Sequence, residues 1–572
     1  MTLGSYVHGN TGAPLIGVTI GDCLKNLVAT DGSLEALIVP EQGVRWTYAE
    51  LLERSDAFAA GLLSLGLKPG DRVGIWAPNC AEWTIAQFAT ARAGFVLVTV
   101  NPAYRISELE HALKIVDCRA LITATRYRSS DYIAMLRELA PELEGRSGEL
   151  ACARLPALRH VITLGDDVHA GCIPFSVVAT RAKQADREAL DAVAADVQID
   201  DPVNIQFTSG TTGLPKGATL SHHNLINNGF FVGEATGIEP GSRVCIPVPL
   251  YHCFGMVMGN LGCLTHKATM VYPSEAFDAS STLRTIEEFS CDVLYGVPTM
   301  FIAILNHPDF AKYELSSLRR GIMAGAPCPI EVMKQVATRM NMGEITIAYG
   351  MTETSPVSFQ SSRDDPLELR VSTVGRIQPH LEVKIVDNDG KVVPRGEAGE
   401  LCTRGYSVML GYWNDEKRTH EAIDRAGWMH TGDLATIDDK GYCRIVGRIK
   451  DMVIRGGENV YPREIEEFLY THPEIQDVQV IGVPDQKYGE ELCAWIVPKQ
   501  GAIVDAEGVQ AFCRGRIAHY KVPRYVRVVE GFPTTITGKV QKFVMRELMI
   551  DELSRFDTPI SRAAPSSGSS HR

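Results

Sequence analysis

The residues of this 572-residue chain best suited to chemistry stand in one short run, Thr208 to Gly217. It reads Thr208, Ser209, Gly210, Thr211, Thr212, Gly213, Leu214, Pro215, Lys216, Gly217. Glycines let the backbone take positive φ and approach a ligand closely. Successive exposed N–H groups form a concavity that binds anions. The hydroxyls add donors and Lys216 adds a charge, so the run is suited to holding a polyphosphate. It is not a Walker loop, which needs Gly-x-x-x-x-Gly-Lys-Ser/Thr. Counting from Gly210, Pro215 stands where that pattern has glycine, and Gly217 stands where it has a hydroxyl. A flexible linker would need neither the Pro-Lys pair nor the apolar strand Val203–Phe207 just before it.

Three further stretches each read as an apolar strand ending in a glycine-bearing turn. The first contains Tyr295 and Gly296. The second ends at Gly325, Ala326 and Pro327. The third carries Tyr349, Gly350, Thr352 and Glu353. Ligands of open α/β sheets sit outside the carboxyl ends of strands, so the three turns are expected to converge on one site. Glu353 among hydroxyls suits Mg²⁺, which takes oxygen donors and substrate phosphates. A helix-start carboxylate is the alternative for it. Around His252, the run Gly255, Met256, Met258, Gly259 reads either as an adaptable apolar pocket or as a plain core helix. His252 itself resembles a satisfied core histidine. His222 and His223 are adjacent on a helix and cannot face one metal. Asp433 after Gly432, and Lys539 in the turn Pro533–Lys542, read singly as a turn cap and a solvated lysine.

The elements that must position these residues alternate. Thr47 and Glu50 form a capping box for a helix running toward Gly66. Arg72–Trp76 and Phe95–Val100 read as strands flanking a helix from Glu82 to Ala93. Ala120–Thr123 and His160–Thr163 repeat the pattern, which implies parallel βαβ units. Residues 137–157 are polar and read as a surface insertion, and a helix is expected from Asn224. From Glu382 the chain changes to short strands and turns, as in an antiparallel subdomain. A helix from Arg463 to Tyr470 and strands at Val478–Val483 and Cys493–Val497 open a separate domain. The fold expected is α/β. A large N-terminal domain (1–449) has parallel-rich sheets packed with helices plus a small antiparallel subdomain. A mobile α+β lid domain (450–555) follows, then a disordered tail (556–572).

A net charge of −13 argues against a nucleic-acid binder. The fourteen cysteines include no Cys-x-x-Cys pair and sit in apolar runs, as reduced side chains of a cytoplasmic protein do. No signal or transit peptide and no membrane span is expected. A homodimer stays open.

Read together, five motifs in order, Thr208–Gly217, Tyr349–Thr354, Thr431–Asp433, Gly447–Pro462 and Pro533–Lys542, resemble those of the acyl-adenylate-forming enzymes. The resemblance covers about residues 30–550. Tyr251–Gly255, Arg455–Asn459 and Thr537–Lys542 are similar to the medium-chain acyl-CoA synthetase group. The resemblance implies that a carboxylic acid and ATP form an acyl-adenylate and pyrophosphate. Coenzyme A then takes the acyl group and AMP leaves. It implies that 208–217 holds the phosphates, that Glu353 and Thr208 hold Mg²⁺, and that Gly325–Pro327 meets adenine. Asp433 would take the ribose hydroxyls, with Arg448 beside them. Lys539 would bridge the carboxylate and the α-phosphate. Lys450 occupies the hinge position, Gly456 and Gly457 leave room for pantetheine, and His252, Gly255, Met256, Gly259 and Tyr295 line the acyl pocket.

Three rivals remain. An amino-acid-activating domain typically has an aspartate near Tyr251–Gly255, and no carboxylate lies between Pro247 and Lys267. An aryl-acid (coumarate- or benzoate-type) CoA ligase fits the same chemistry. A non-catalytic nucleotide- or acyl-binding protein would not need Lys539.

Overall fold

The computed structural model describes residues 4–144, 149–165, 167–208, 215–456, 458–535 and 539–556. The chain divides into two compact units. One runs to Val446, and the other runs from Gly447 through Thr535 and on from Lys539.

The first unit is built on three sheets among the described residues. One has the order Ile173–Pro174, His160–Thr163, Ala120–Thr123, Arg72–Trp76, Val96–Thr99, Pro202–Thr208, Lys216–Ser221, Gly411–Tyr412. Its strands are parallel as far as Pro202–Thr208. Lys216–Ser221 then turns back antiparallel, with Lys216 opposite Thr208. The phosphate-type loop therefore joins two strands of a hairpin, unlike a Walker loop, which opens a helix. The expected helix starts at His222, two residues before Asn224. Ser221 caps it through the Asn224 amide N–H, and the Asn224 side chain returns to the Ser221 N–H.

The second sheet has a parallel centre of Glu35–Val39, Thr269–Val271, Arg243–Cys245, Val293–Gly296, Arg320–Ala324 and Glu344–Gly350. Antiparallel strands close its edges, Val44–Thr47 on one side and Val357–Gln360 with Arg376–Ile377 on the other. The near-continuous apolar runs of the central strands follow from burial on both faces. The capping box of Thr47 and Glu50 is present and starts the helix Tyr48–Ser64. The third sheet, Tyr6–His8, Leu381–Val386, Gly399–Gly405, Met429–Ile437, Cys443–Arg448, alternates as a one-sided sheet does: Leu381, Val383 and Ile385 are buried and Glu382 and Lys384 are not.

One expectation is corrected. Residues 137–157 are not a mere surface insertion, because Leu139, Leu143, Leu150, Cys152 and Leu155 belong to the main core. Spaced apolar anchors in a polar segment bury themselves while the charges between them stay outside.

The second unit has a sheet ordered Glu458–Val460, Val453–Arg455, Gly489–Pro498, Ile475–Asp485, with Tyr525–Val528 parallel to Gly489–Pro498. Helices Pro462–Leu469, Ala506–Cys513 and Lys542–Phe556 accompany it. Ile465, Leu469, Val478, Val480, Leu492 and Ile496 form its core. Inside that unit Lys542 donates to Glu466 Oε1 at 2.6 Å and to the Val480 carbonyl at 3.1 Å. Glu466 is buried and also accepts from the Val480 N–H at 2.7 Å. Removing one partner of a buried pair leaves an uncompensated charge. Lys542→Met is therefore expected to lower the unfolding free energy of this unit by about 3 kcal/mol. An unchanged denaturant midpoint would show that Glu466 does not depend on the lysine.

Candidate active site

Glu353 is 5% exposed and lies at the centre of the arrangement. Its Oε1 accepts from the Thr208 hydroxyl at 3.2 Å and from the Tyr412 hydroxyl at 2.8 Å. Lys216 Nζ donates to the same Tyr412 oxygen at 3.0 Å and sits 4.2 Å from the ring centroid. The backbone explains the meeting. Thr208 and Lys216 face each other across the hairpin, and Tyr412 lies opposite Ala218 on the next strand. Glu353 stands in the one-turn helix Thr352–Thr354, just past the strand Glu344–Gly350. Gly350 must be glycine, since a Cβ there would meet the Pro356 carbonyl oxygen at 1.7 Å. A buried charge needs partners, and burial together with the Glu353 charge pushes the Tyr412 phenol well up, so it stays a donor. The Thr208 hydroxyl and the Glu353 carboxylate are adjacent hard oxygen donors of the kind Mg²⁺ takes together with substrate phosphates.

Asp433 is 8% exposed, and its Oδ2 accepts from the Tyr349 hydroxyl at 2.6 Å. Burial raises the Tyr349 phenol and the Asp433 charge adds to it. The register between Gly399–Gly405 and Met429–Ile437 slips here: Glu400 pairs with Leu434, but Cys402 pairs with His430. Thr431, Gly432 and Asp433 thus oppose Leu401 as a bulge, a device that re-aims a side chain. Thr431 Oγ1 closes it by donating to the Leu401 carbonyl at 2.8 Å and accepting from the Asp433 N–H at 3.1 Å. Gly432 takes φ +69°.

The three strand-end turns do lie side by side, because Val293–Gly296, Arg320–Ala324 and Glu344–Gly350 are neighbours in one parallel sheet. Gly325 takes φ +86° immediately after its strand, and Gly325 and Pro327 are exposed with Ala326 half-buried. Tyr295 is fully buried, 5.7 Å from the Phe254 ring, and burial raises its phenol. The stretch after His252 is neither a plain α-helix nor open space. Phe254–Leu261 is a buried π-helix. A Cβ on Gly255 would meet the Pro249 carbonyl oxygen at 2.5 Å, and one on Gly259 would meet Ile246 Cδ1 at 2.8 Å. These glycines permit close packing. Met256 gives its carbonyl to Gln87 Nε2 at 2.9 Å and its sulfur to Gln206 Nε2 at 3.1 Å. Gln206 Oε1 in turn accepts from the Cys253 thiol at 2.9 Å. His252 Nδ1 accepts from the Phe254 N–H at 3.2 Å. His222 is a satisfied core histidine, accepting from the Ile20 N–H at 3.2 Å.

Pro215 is described and its carbonyl is 3.3 Å from His111 Nε2. Ser209, Gly210, Thr211, Thr212, Gly213, Leu214 and Gly457 lie outside the described residues. The other candidates belong to the second unit. Arg448 ends the strand Cys443–Arg448, and Arg448 and Lys450 are exposed. Gly456 takes φ +60° in the turn after Val453–Arg455, and its N–H donates to the Tyr488 carbonyl at 2.8 Å. Lys539 is exposed, and its backbone N–H donates to Thr535 Oγ1 at 3.1 Å.

Tyr412, Gln206 and Cys253 escaped the sequence reading. Tyr412 reaches Glu353 only through sheet pairing, which leaves no local signal. Tyr412→Phe keeps the ring beside Lys216 and removes the donor to Glu353. Losing a hydrogen bond to a charged group is worth about 1.5–3 kcal/mol. A fall of that size in unfolding free energy is expected in denaturant titration, and an unchanged midpoint would mean that Thr208 suffices.

The profile of the AMP-binding enzyme family matches residues 25–413, and that of the AMP-binding enzyme C-terminal domain matches 464–539. The chain is 48% identical over 547 residues to the medium-chain acyl-CoA ligase ACSF2, mitochondrial, of Danio rerio, covering 95% of this chain and 90% of that protein. It is 48% identical over 541 residues to the putative acyl-CoA synthetase YngI of Bacillus subtilis, covering 94% and 98%. Among solved structures, the anthranilate CoA ligase AuaEII in complex with anthranoyl-AMP superposes with TM-score 0.84 at 26% identity, covering 95% of this chain and 99% of that one. ATP-bound MatB from Rhodopseudomonas palustris gives 0.80 at 29%, covering 93% and 99%.

Proposed function

Because the chain belongs to the AMP-binding enzyme family, we propose that it is an AMP-forming acyl-CoA synthetase acting on medium-chain fatty acids. The observation that carries this is the Thr208–Glu353–Tyr412–Lys216 network at the two ends of the 208–216 loop. A buried carboxylate, two hydroxyls and an ammonium at the mouth of such a loop suit a nucleotide triphosphate.

In the proposed reaction the acid carboxylate attacks the α-phosphorus of ATP and pyrophosphate leaves. The sulfur of coenzyme A then attacks the acyl carbon and AMP leaves. Lys216 neutralises phosphate charge, and phosphoryl transfer depends mainly on such positioning and neutralisation. Thr208 and Glu353 would hold Mg²⁺, which supplies further neutralisation of the phosphates when bound. Asp433, aimed by its bulge, accepts the ribose hydroxyls, and Gly325–Pro327 meets the adenine. Arg448 assists at the ribose. Lys539 stabilises charge that develops between the carboxylate and the α-phosphate. Lys450 serves as the pivot for exchanging the two steps, and Gly456 with Gly457 admits the pantetheine arm. The acyl chain is placed near His252, the π-helix and Tyr295. A medium-chain acid is preferred over an aryl acid on identity, since the named medium-chain ligase shares 48% with this chain and the anthranilate ligase 26%. A reducing compartment such as the cytoplasm suits fourteen cysteines that form no disulfide.

Lys539→Ala is expected to slow adenylate formation about 10²–10³-fold and to leave CoA attack on a supplied adenylate nearly unchanged. Equal loss in both half-reactions would overturn the assignment. Asp433→Ala is expected to raise the KM for ATP about tenfold or more, the scale of a lost charged hydrogen bond. An unchanged KM would remove it from the ribose site. AMP release across C4–C16 fatty acids, benzoate and coumarate should peak near C6–C12. A peak on aryl acids would keep the mechanism and overturn the substrate, and binding of ATP without turnover on any acid would restore the non-catalytic reading.

A further inference from the structure

Behind the Thr431–Asp433 bulge, three side chains of different chemistry converge. Glu400 and Cys402 stand two residues apart on Gly399–Gly405 and share a face of the sheet. His430 lies directly opposite Cys402. Cys402 Sγ is 3.5 Å from His430 Nδ1, and Glu400 Oε2 is 2.9 Å from the same nitrogen. The three donor atoms lie within 4.8 Å of one another.

From these residues we infer a transition-metal site, zinc by its donor set, ligated by Glu400, Cys402 and His430 with a fourth position open to water. Tetrahedral zinc with ordinary Zn–S and Zn–N bonds separates sulfur from nitrogen by about 3.5 Å and nitrogen from oxygen by about 3.4 Å. The first distance is already met, and the second needs an opening of about half an ångström on the half-exposed edge. His430 Nε2 points toward Asp424, with Oδ2 at 3.8 Å, the carboxylate-behind-histidine arrangement that orients a metal-ligating imidazole. Lys384 faces Cys402 from Leu381–Val386, and its ammonium is drawn onto the Trp428 ring, 4.7 Å from the centroid. Arg404 lies 4.4 Å from the same ring and is paired with Glu382.

Cys402 Sγ and Glu400 Oε2 both approach His430 Nδ1, and a metal would sit among these three atoms. Coordination uses thiolate and neutral imidazole, so binding releases protons. Glu400 is the link to nucleotide chemistry, because its other oxygen accepts from the Gly432 N–H at 3.3 Å inside the bulge. The site itself does not depend on the acid-activating reading.

The test is metal titration of the full chain in reductant that does not chelate. Wild type is expected to take one equivalent of Zn²⁺ from a chromophoric chelator, with proton release into weak buffer. Co²⁺ should give a near-ultraviolet thiolate band. Cys402→Ser should lose the band, and His430→Gln, at a half-exposed position, should weaken Zn²⁺ binding about 10–100-fold or more. Far-ultraviolet dichroism checks whether each variant is folded. If either variant fails to fold, Glu400→Gln, which can still accept from Gly432, must show the same weakening. No Zn²⁺ uptake by wild type, or uptake and a Co²⁺ band that survive Cys402→Ser, would overturn the proposal, since thirteen other cysteines could then account for it.

Discussion

A carboxylate kept almost wholly out of water is the constraint around which the first unit is arranged. Glu353 can be buried only if donors meet it, and the Thr208 and Tyr412 hydroxyls reach it from the other large sheet. Thr208 comes from the end of a central strand and Tyr412 from an edge strand some two hundred residues later. The hairpin register that sets Lys216 opposite Thr208 then places an ammonium on the same phenol. One buried charge thus ties the phosphate-type loop, the strand-end turn and the edge strand into a single arrangement. Because each partner belongs to a different element, the network forms only when both sheets are in place.

The second recurring device is a strand that ends or slips where a side chain must be aimed. Three adjacent parallel strands finish in turns on the same edge, and there Gly325 and Gly350 do work no other residue could. One needs positive φ, and the other is crowded by a carbonyl. Asp433 is aimed differently, by a bulge closed with the Thr431 hydroxyl and braced by Glu400. The bulge sets three residues, Thr431 to Asp433, against Leu401 alone, while the neighbouring face carries the Glu–Cys–His cluster and Asp433 accepts from Tyr349.

In the second unit two nearby lysines have opposite surroundings. Lys542 is drawn inward by the Glu466 carboxylate and the Val480 carbonyl, so its charge serves the fold. Lys539 remains exposed at its turn. Arg455 follows the Lys542 pattern: it forms a two-point bond to the buried Glu491, at 2.8 and 2.7 Å, over the Tyr488 ring.

What could be read directly from the chain was whatever has a local cause. The capping box at Thr47, the apolar strands, the glycine turns and the Thr208–Gly217 run carry their signal within a few positions, whereas Asp433 and Lys539 stood out only through five motifs read together. The π-helical turn at Phe254–Leu261 was not legible, because its glycines answer to Pro249 and Ile246 as packing partners rather than to a periodicity. The burial of the 137–157 segment was hidden by its polar average. Tyr412 as a partner of Glu353, the bulge at Thr431–Asp433 and the meeting of Glu400, Cys402 and His430 were decided only by tertiary structure. Each depends on strand register between residues distant in sequence, and register is set by the whole core.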